Sequence, residues 1–346
     1  MEAHTPVIGG GRSTLERSPL ARLPDRILKW GLLGISAAVL VLIVYFFIRL
    51  IGQSTLAFNR FGVFGFVFHN RWVPSRLEFG AAAMVFGTVV TSAIALIIGV
   101  PVAVATALYL TELCPRRARG PLTILVDLLA AVPSVVYGLW GVYVLIPKLK
   151  PAEQWFADSF SFIPWVGGHV AGPSVFIAGL ILAIMILPIV SAISREVIST
   201  VPAEHKEAAL ALGATRWEMI KMAILPYSRP GITGGAMLGL GRALGETIAV
   251  VLVIGDDPAI PHSIFGQGYS LAAVIAAEFG EGSNQSIYRS ALLACGLVLF
   301  VLTLLVNGFA RGYVLRGERK MFGGGSRWRR GGGGAGDEPA EAAIGV

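Results

Sequence analysis

The stretch "EAALALGATRWEMIKMAILP", Glu207–Pro226, decides how this chain is to be read. It mixes charged and apolar residues, a glycine interrupts it, and long apolar runs flank it. Just ahead, Pro202 suits the first turn of a helix, and Glu204 and Glu207 sit where carboxylates favour a helix N-terminus. Ala208, Ala209, Leu210 and Leu212 carry that helix to Gly213, which readily takes the left-handed backbone that ends helices. Thr215 is placed to cap a second piece running through Trp217, Met219, Ile220 and Met222 to Pro226. The spacing predicts two short helices hinged at Gly213.

Composition says what surrounds that hinge. Of 346 residues 55% are hydrophobic and 14% charged, with a mean hydropathy of +0.71. Soluble domains carry about 25% charged residues, so the chain reads as an integral membrane protein. A helix needs about 20 apolar residues to cross a bilayer. The stretches 27–50, 79–112, 121–146, 174–193, 230–254 and 287–310 meet that need, giving an all-α polytopic protein with six spans. Pro101 and Pro188 are expected to bend the second and fourth of them. Residues 1–26 are polar, basic and rich in Gly, Ser and Pro, and are expected to be disordered. The run 27–50 is longer than a signal-peptide core and lacks a small-residue cleavage site, so it reads as an uncleaved anchor. After Arg316 the tail "GERKMFGGGSRWRRGGGGAGDEP" reads as flexible and basic. The chain thus divides into 1–26, a transmembrane domain 27–316, and 317–346.

The segments 1–29, 113–120, 194–229 and 311–346 hold 20 of the 28 Lys and Arg residues, against seven in the loops near 49–78, 147–172 and 255–289. By the positive-inside rule the first set is cytoplasmic, which puts both termini and the hinged pair inside a cell membrane. The net charge of +7 therefore marks topology and does not point to nucleic acid. Cys114 and Cys295 fall at a span end and inside a span, so no disulfide framework is expected. The five histidines have no ligand spacing, and no metal site is expected.

The pattern Glu207-Ala208-Ala209, three residues, Gly213, and then Leu225-Pro226 resembles the cytoplasmic loop of ABC importer permeases. One departure is Ala223, where that family usually has a larger aliphatic residue. The resemblance implies a coupling helix that docks into an ATPase subunit. No G-x-x-x-x-G-K-[ST] loop exists in this chain, so ATP and Mg²⁺ would be held by a separate polypeptide, and this chain is expected to be no enzyme and to bind no cofactor.

A second stretch, "GLGRALGETIAVVLVIG", Gly239–Gly255, puts Arg242 about 12 residues into the fifth span, near the bilayer middle by helix rise. Glu246 follows four residues later, on the same face if the helix is continuous. An arginine at that depth costs about 2.5–3.5 kcal/mol on insertion scales and marks a substrate path, unless it only pairs within the helix. As a substrate residue, Arg242 offers planar multiple donation to an oxyanion, and Glu246 can accept from the hydroxyl of a protonated one. That combination suits phosphate. "RWVPSRLEFG" (Arg71–Gly80), "GTVVTSAIALIIGVPVAVATALYLTEL" (Gly87–Leu113), "AVPSVVYGLWG" (Ala131–Gly141) and "GLGRALGET" resemble permease subunits of phosphate-specific ABC importers, the C-type rather than the A-type, over roughly residues 60 to 316. The resemblance implies a heterodimer with an A-type subunit, two ATPase subunits, an outer phosphate-binding protein, and transport roles for Arg242 and Glu246.

In "AVPSVVYG", kink-prone Pro133 with Ser134 and Tyr137 could open backbone and hydroxyls to the path, or serve helix packing. Asp127 is expected to pair with Arg116, Arg117 or Arg119, or to line the inner vestibule. Residues 266–283 read as a short amphipathic helix in the last outer loop, and the Phe-rich run near residue 64 as an interfacial segment. A permease for another oxyanion or small solute is the alternative. An ion-driven secondary transporter is disfavoured by the hinged loop and by the lack of an evident repeat with broken helices. No nucleophile elbow, metal-ligand helix or paired carboxylates suggest an intramembrane enzyme.

Overall fold

The computed structural model describes residues 23–168, 170–282 and 284–322. The predicted terminal segments 1–26 and 317–346 lie outside these, apart from 23–26 at the start of the first helix and 317–322 at the end of the last. The chain forms two compact units, Met1–Gly52 and Gln53–Val346. What is described of the first is helix α1 (Leu23–Phe61), which runs on into the second; the most apolar 18-residue window of its stretch Ile27–Phe61 has a mean hydropathy of 2.6.

In the second unit α2 (Val63–Phe68) leads into a short antiparallel hairpin, β1 (Trp72–Val73) and β2 (Glu78–Phe79), with Trp72 opposite Phe79. Three unbroken helices then serve as spans: α3 (Ala82–Leu108, prolonged by a wide π turn to Leu113), α7 (Val175–Ser199) and α13 (Ser286–Phe322). Pro101 and Pro188 stay inside α3 and α7. The other two predicted spans are not single helices. α4 (Arg116–Ala131) turns through 93° into α5 (Ser134–Trp140), which continues through a π turn into α6 (Ile146–Ser159). α10 (Leu225–Gly245) turns through 64° into α11 (Ile248–Ile254).

The core is built on α7. Its first turn is capped by Ser174, whose Oγ accepts from the Ile177 N–H at 3.1 Å. It runs parallel to α3, where a Cβ on Gly179 would stand 2.6 Å from Ile94 Cβ, and one on Gly99 3.0 Å from the Ala183 carbonyl. Against α10 it runs antiparallel: Gly231 faces Val197, Gly235 faces Ile193 and Gly239 faces Val190. Four-residue glycine spacing lets two backbones close up where lipid supplies no hydrophobic drive for association.

At the hairpin end one carboxylate gathers three segments. Glu278 of α12 (Leu271–Gly282) accepts from Trp72 Nε1 at 2.8 Å, from the Tyr288 hydroxyl at 2.6 Å and from the Tyr269 hydroxyl at 3.3 Å. Phe79 stacks on Tyr288, with ring centres 5.1 Å apart. The expected loop helix is α12, with Ser283 outside the described residues. The Phe-rich run forms α2, with Phe64 and Phe68 exposed.

At the opposite end lies the hinged pair. α8 (Ala203–Ala211) follows Pro202, Gly213 has φ +83°, and α9 (Arg216–Met219) opens on a capping box between Thr215 and Glu218. The second piece does not stop at Pro226, as the sequence suggested. α9, a π turn over Ile220–Ile224 and α10 make one continuous helix, Arg216–Gly245. Pro226 falls just after the π turn, inside this continuous helix, where the wider turn accommodates its missing N–H. The loop is seated by Met219, Ile220 and Ile224 against Ala107, Leu108 and Ile198, and by the Lys206–Glu112 ion pair at 2.6 Å.

Candidate functional site

The two breaks meet. In the fifth span, glycines crowd the approach to the break, at 234, 235, 239, 241 and 245, and weaken the helix. It ends at Gly245; Glu246 is extended (φ −71°, ψ 131°), and the Thr247 hydroxyl donates to the Gly245 carbonyl at 3.3 Å. In the third span Pro133 follows the last turn of α4, with Val132 extended. The Tyr137 hydroxyl reaches back to donate at 2.8 Å to the Leu129 carbonyl, which also takes the Val132 N–H at 3.4 Å. α5 packs on α11 at a glycine: a Cβ on Gly138 would lie 2.6 Å from Leu252 Cδ1 and 3.1 Å from Ala249 Cα. One turn on, Gly141 meets Val253 of α11 and Ile181 of α7.

Around this junction stand the four predicted pathway residues. Arg242, in the last turn of α10, is exposed, and its charge reaches the buried Tyr137 phenol. Glu246 lies in the break and Ser134 at the start of α5, both half-buried. The continuous helix face expected to carry Arg242 and Glu246 together is absent, because the helix stops between them. No ion pair joins these two side chains among the described residues. The guanidinium is thus left available on an open surface, beside backbone groups released by two helix ends. Non-helical backbone at membrane depth persists only where protein covers it or water reaches it. A planar cation, a carboxylate and the Ser134 hydroxyl in such a place can bind and pass an oxyanion, while the Tyr137 proton stays with the Leu129 carbonyl.

Sequence reasoning missed Thr247 as the residue that caps the break, and the Leu129 carbonyl as the partner of Tyr137. The Gly-Glu-Thr run after a glycine-rich helix was the available signal for the first. It also misplaced Asp127, which pairs with Arg195 of α7 and not with Arg116, Arg117 or Arg119. Arg119 is instead held by the Leu110 carbonyl. The predicted coupling residues fall on the hinged pair: Glu207 and Ala208 exposed on α8, Ala209 half-buried beside the seat, Gly213 at the turn, Leu225 and Pro226 at the head of α10. Among the described residues no three His, Cys, Asp or Glu side chains stand together as metal ligands.

Broken spans around a polar junction, with a hinged helix pair at one end, define a membrane transport protein. Residues 99–316 match the family described as binding-protein-dependent transport system inner membrane component, and the chain belongs to that family. It is 44% identical over 288 residues to the phosphate transport system permease protein PstC of Mesorhizobium japonicum, covering 81% of this chain and 88% of that one. To PstC 2 of Mycobacterium tuberculosis it is 41% identical over 299 residues, covering 84% and 92%. Among solved structures, a chain of a bacterial alginate ABC transporter in complex with an alginate pentasaccharide-bound periplasmic protein superposes with a TM-score of 0.54 at 20% identity, covering 84% of this chain and 96% of that one. The likeness to that structure concerns the fold.

Proposed function

We propose that this chain is the C-type permease subunit of an ATP-driven importer that moves inorganic phosphate across the cell membrane. The observation that carries the reading is Arg242, a guanidinium on a span helix with no carboxylate partner among the described residues, exposed at the junction of two broken spans. Relatives at 44% and 42% identity bear the name of phosphate permeases. In this reading α8 and α9 face the cytoplasm with both termini. Leu212, Trp217 and Met222, all exposed, give an ATPase subunit an apolar ledge to grip. ATP and Mg²⁺ belong to two such ATPase subunits. An A-type permease subunit covers the open face of α4, α5 and α10 to close the path, and a phosphate-binding protein delivers substrate at the hairpin end. Ser134, Tyr137 and Glu246 line the path beside Arg242. Broken spans also occur in ion-driven carriers; membership of the binding-protein-dependent family favours the ATP-driven reading over that one.

The test is phosphate uptake by cells whose only high-affinity importer contains this chain. Arg242→Gln is expected to cut uptake by about tenfold or more, the loss of a charge-assisted contact. Unchanged uptake in Arg242→Gln, or an unaltered chain that imports sulfate and not phosphate, would overturn the reading.

A further inference from the structure

A second arginine stands in line with the first. Arg195, just ahead of the last turn of α7, donates through Nη2 to Oδ1 of Asp127 on α4. Its side chain is only 14% exposed, while that of Asp127 is 49% exposed. The Arg195 Nε–H is buried and has no acceptor among the described residues. A buried, unmatched donor on a cation costs more than an ordinary lost hydrogen bond, so its persistence calls for a reason. One face of the planar fork is tied and the neighbouring donor is left open, the arrangement in which a guanidinium can still take an oxyanion.

Its place in the fold follows from the glycine contacts. Gly231 faces Val197 and Gly235 faces Ile193, so Arg195 is level with residue 233 of α10. Arg242 is nine residues further along that helix, roughly 14 Å at 1.5 Å per residue. The end of α4 links the two levels. Asp127 precedes by two residues Leu129, whose carbonyl holds the Tyr137 hydroxyl, and Tyr137 is within reach of the Arg242 charge. The α4 neighbours of Asp127, namely Leu125 and Leu128, are exposed, as are Val136 and Trp140 of α5. The pair and Arg242 are thus both bordered by residues that this chain leaves uncovered.

We propose that Arg195, with Asp127 as its resting counter-ion, is a second oxyanion-binding station on the transport path, displaced from Arg242 toward the α8–α9 end. The inference rests on the phosphate-path reading and names a stage within it. An arriving anion competes with the Asp127 carboxylate for Nη2, and the Nε–H, buried while that pair is closed, becomes its second donor as the fork turns away from the carboxylate. The carboxylate then displaces it again, so the anion is handed on and not trapped. Asp127 here does for Arg195 what Glu246 does not do for Arg242, since the helix break separates the latter two.

The test uses the complete transporter in proteoliposomes, with inorganic phosphate as the probe and ATPase co-purification as the measure of assembly. Arg195→Gln alone and together with Asp127→Asn should lower uptake by about tenfold or more through a raised apparent KM, whereas Asp127→Asn alone, which leaves nothing to displace the anion, should lower the maximal rate without raising KM. A purely structural tie predicts another pattern: either single change harms uptake alike, and the neutral double variant is no worse than the singles. That pattern, or Arg195→Gln within about twofold of wild type, would overturn the station. Should Arg195→Gln fail to assemble, Arg195→Lys decides. Lysine keeps the ion pair but loses the planar fork, so uptake is expected to fall several-fold, and full uptake would overturn the station. Loss of phosphate uptake in Arg242→Gln with none in Arg195→Gln would sink the station and leave the wider reading standing. No phosphate uptake by the unaltered complex would sink both.

Discussion

Gly213 has open space around it: a Cβ there would meet nothing within 4 Å. What the position demands is its φ of +83°, a backbone that costs other residues about 1–2 kcal/mol and β-branched ones more. Gly213→Val is therefore expected to leave the spans intact and misdirect α8 against α9. ATP hydrolysis measured in the full complex should proceed while phosphate uptake falls, and equal loss of both would argue against a hinge. Asp256 offers a second test at this scale. It follows Gly255 beyond the end of α11, and burial, then the nearby Glu278 carboxylate, push its pKa up to about 6. A carboxyl raised on folding favours the folded state while protonated, so its contribution is lost as pH rises through about 6. Asp256→Asn should thus gain thermal stability over wild type progressively between about pH 4 and about pH 6 and keep that gain at higher pH, read as Tm against pH. An identical slope in both proteins would exclude that role. The residue types at the site, Arg242 and Glu246, were legible in the chain because charge is rare in apolar runs. The partner of Asp127 was not, since Arg195 lies 68 positions away and three arginines lie nearer.

At the scale of elements, the sandwich of α3, α7 and α10 is held by close backbone approach. A Cβ on Gly231 would lie 2.2 Å from Val197 Cγ2, whereas one on Gly241 would meet nothing within 4 Å. Gly231→Leu is expected to cost at least about 1–3 kcal/mol through overpacking, and Gly241→Leu far less. Comparing Tm of the two purified variants checks this, and equal tolerance would mean that the helices do not pack through that stripe. The hinge was readable from local rules: an N-terminal proline, a left-handed glycine and a Thr–Glu capping box each act within a few residues. The breaks were not. Hydropathy is summed over about 19 residues and cannot register a two-residue interruption. Nor does Pro133 announce 93° in place of a gentle kink, when Pro101 and Pro188 lie inside helices that stay whole. Only the fit of Gly138 and Gly141 against α11 and α7 fixes where α5 must run.

For the whole molecule, the exposed Leu212, Trp217 and Met222 project from the hinged end, with Lys221 Nζ set over the Trp217 ring at 4.8 Å from its centre. Leu212→Asp with Trp217→Asp is expected to abolish ATPase co-purification in detergent while the permease itself remains folded; retention of the ATPase would place its grip elsewhere. The amino-acid sequence by itself determined that this is a helical, many-times membrane-crossing protein with a hinged loop between spans four and five. Spans, hinge and cap follow from local hydrophobicity, backbone preference and short-range hydrogen bonds, which act along the chain. The tertiary structure alone decided that two of the spans are broken, that Arg242 has no carboxylate partner among the described residues, and that Arg195 pairs with Asp127. Those outcomes depend on which helices lie side by side, and that is set by packing between residues far apart in the chain.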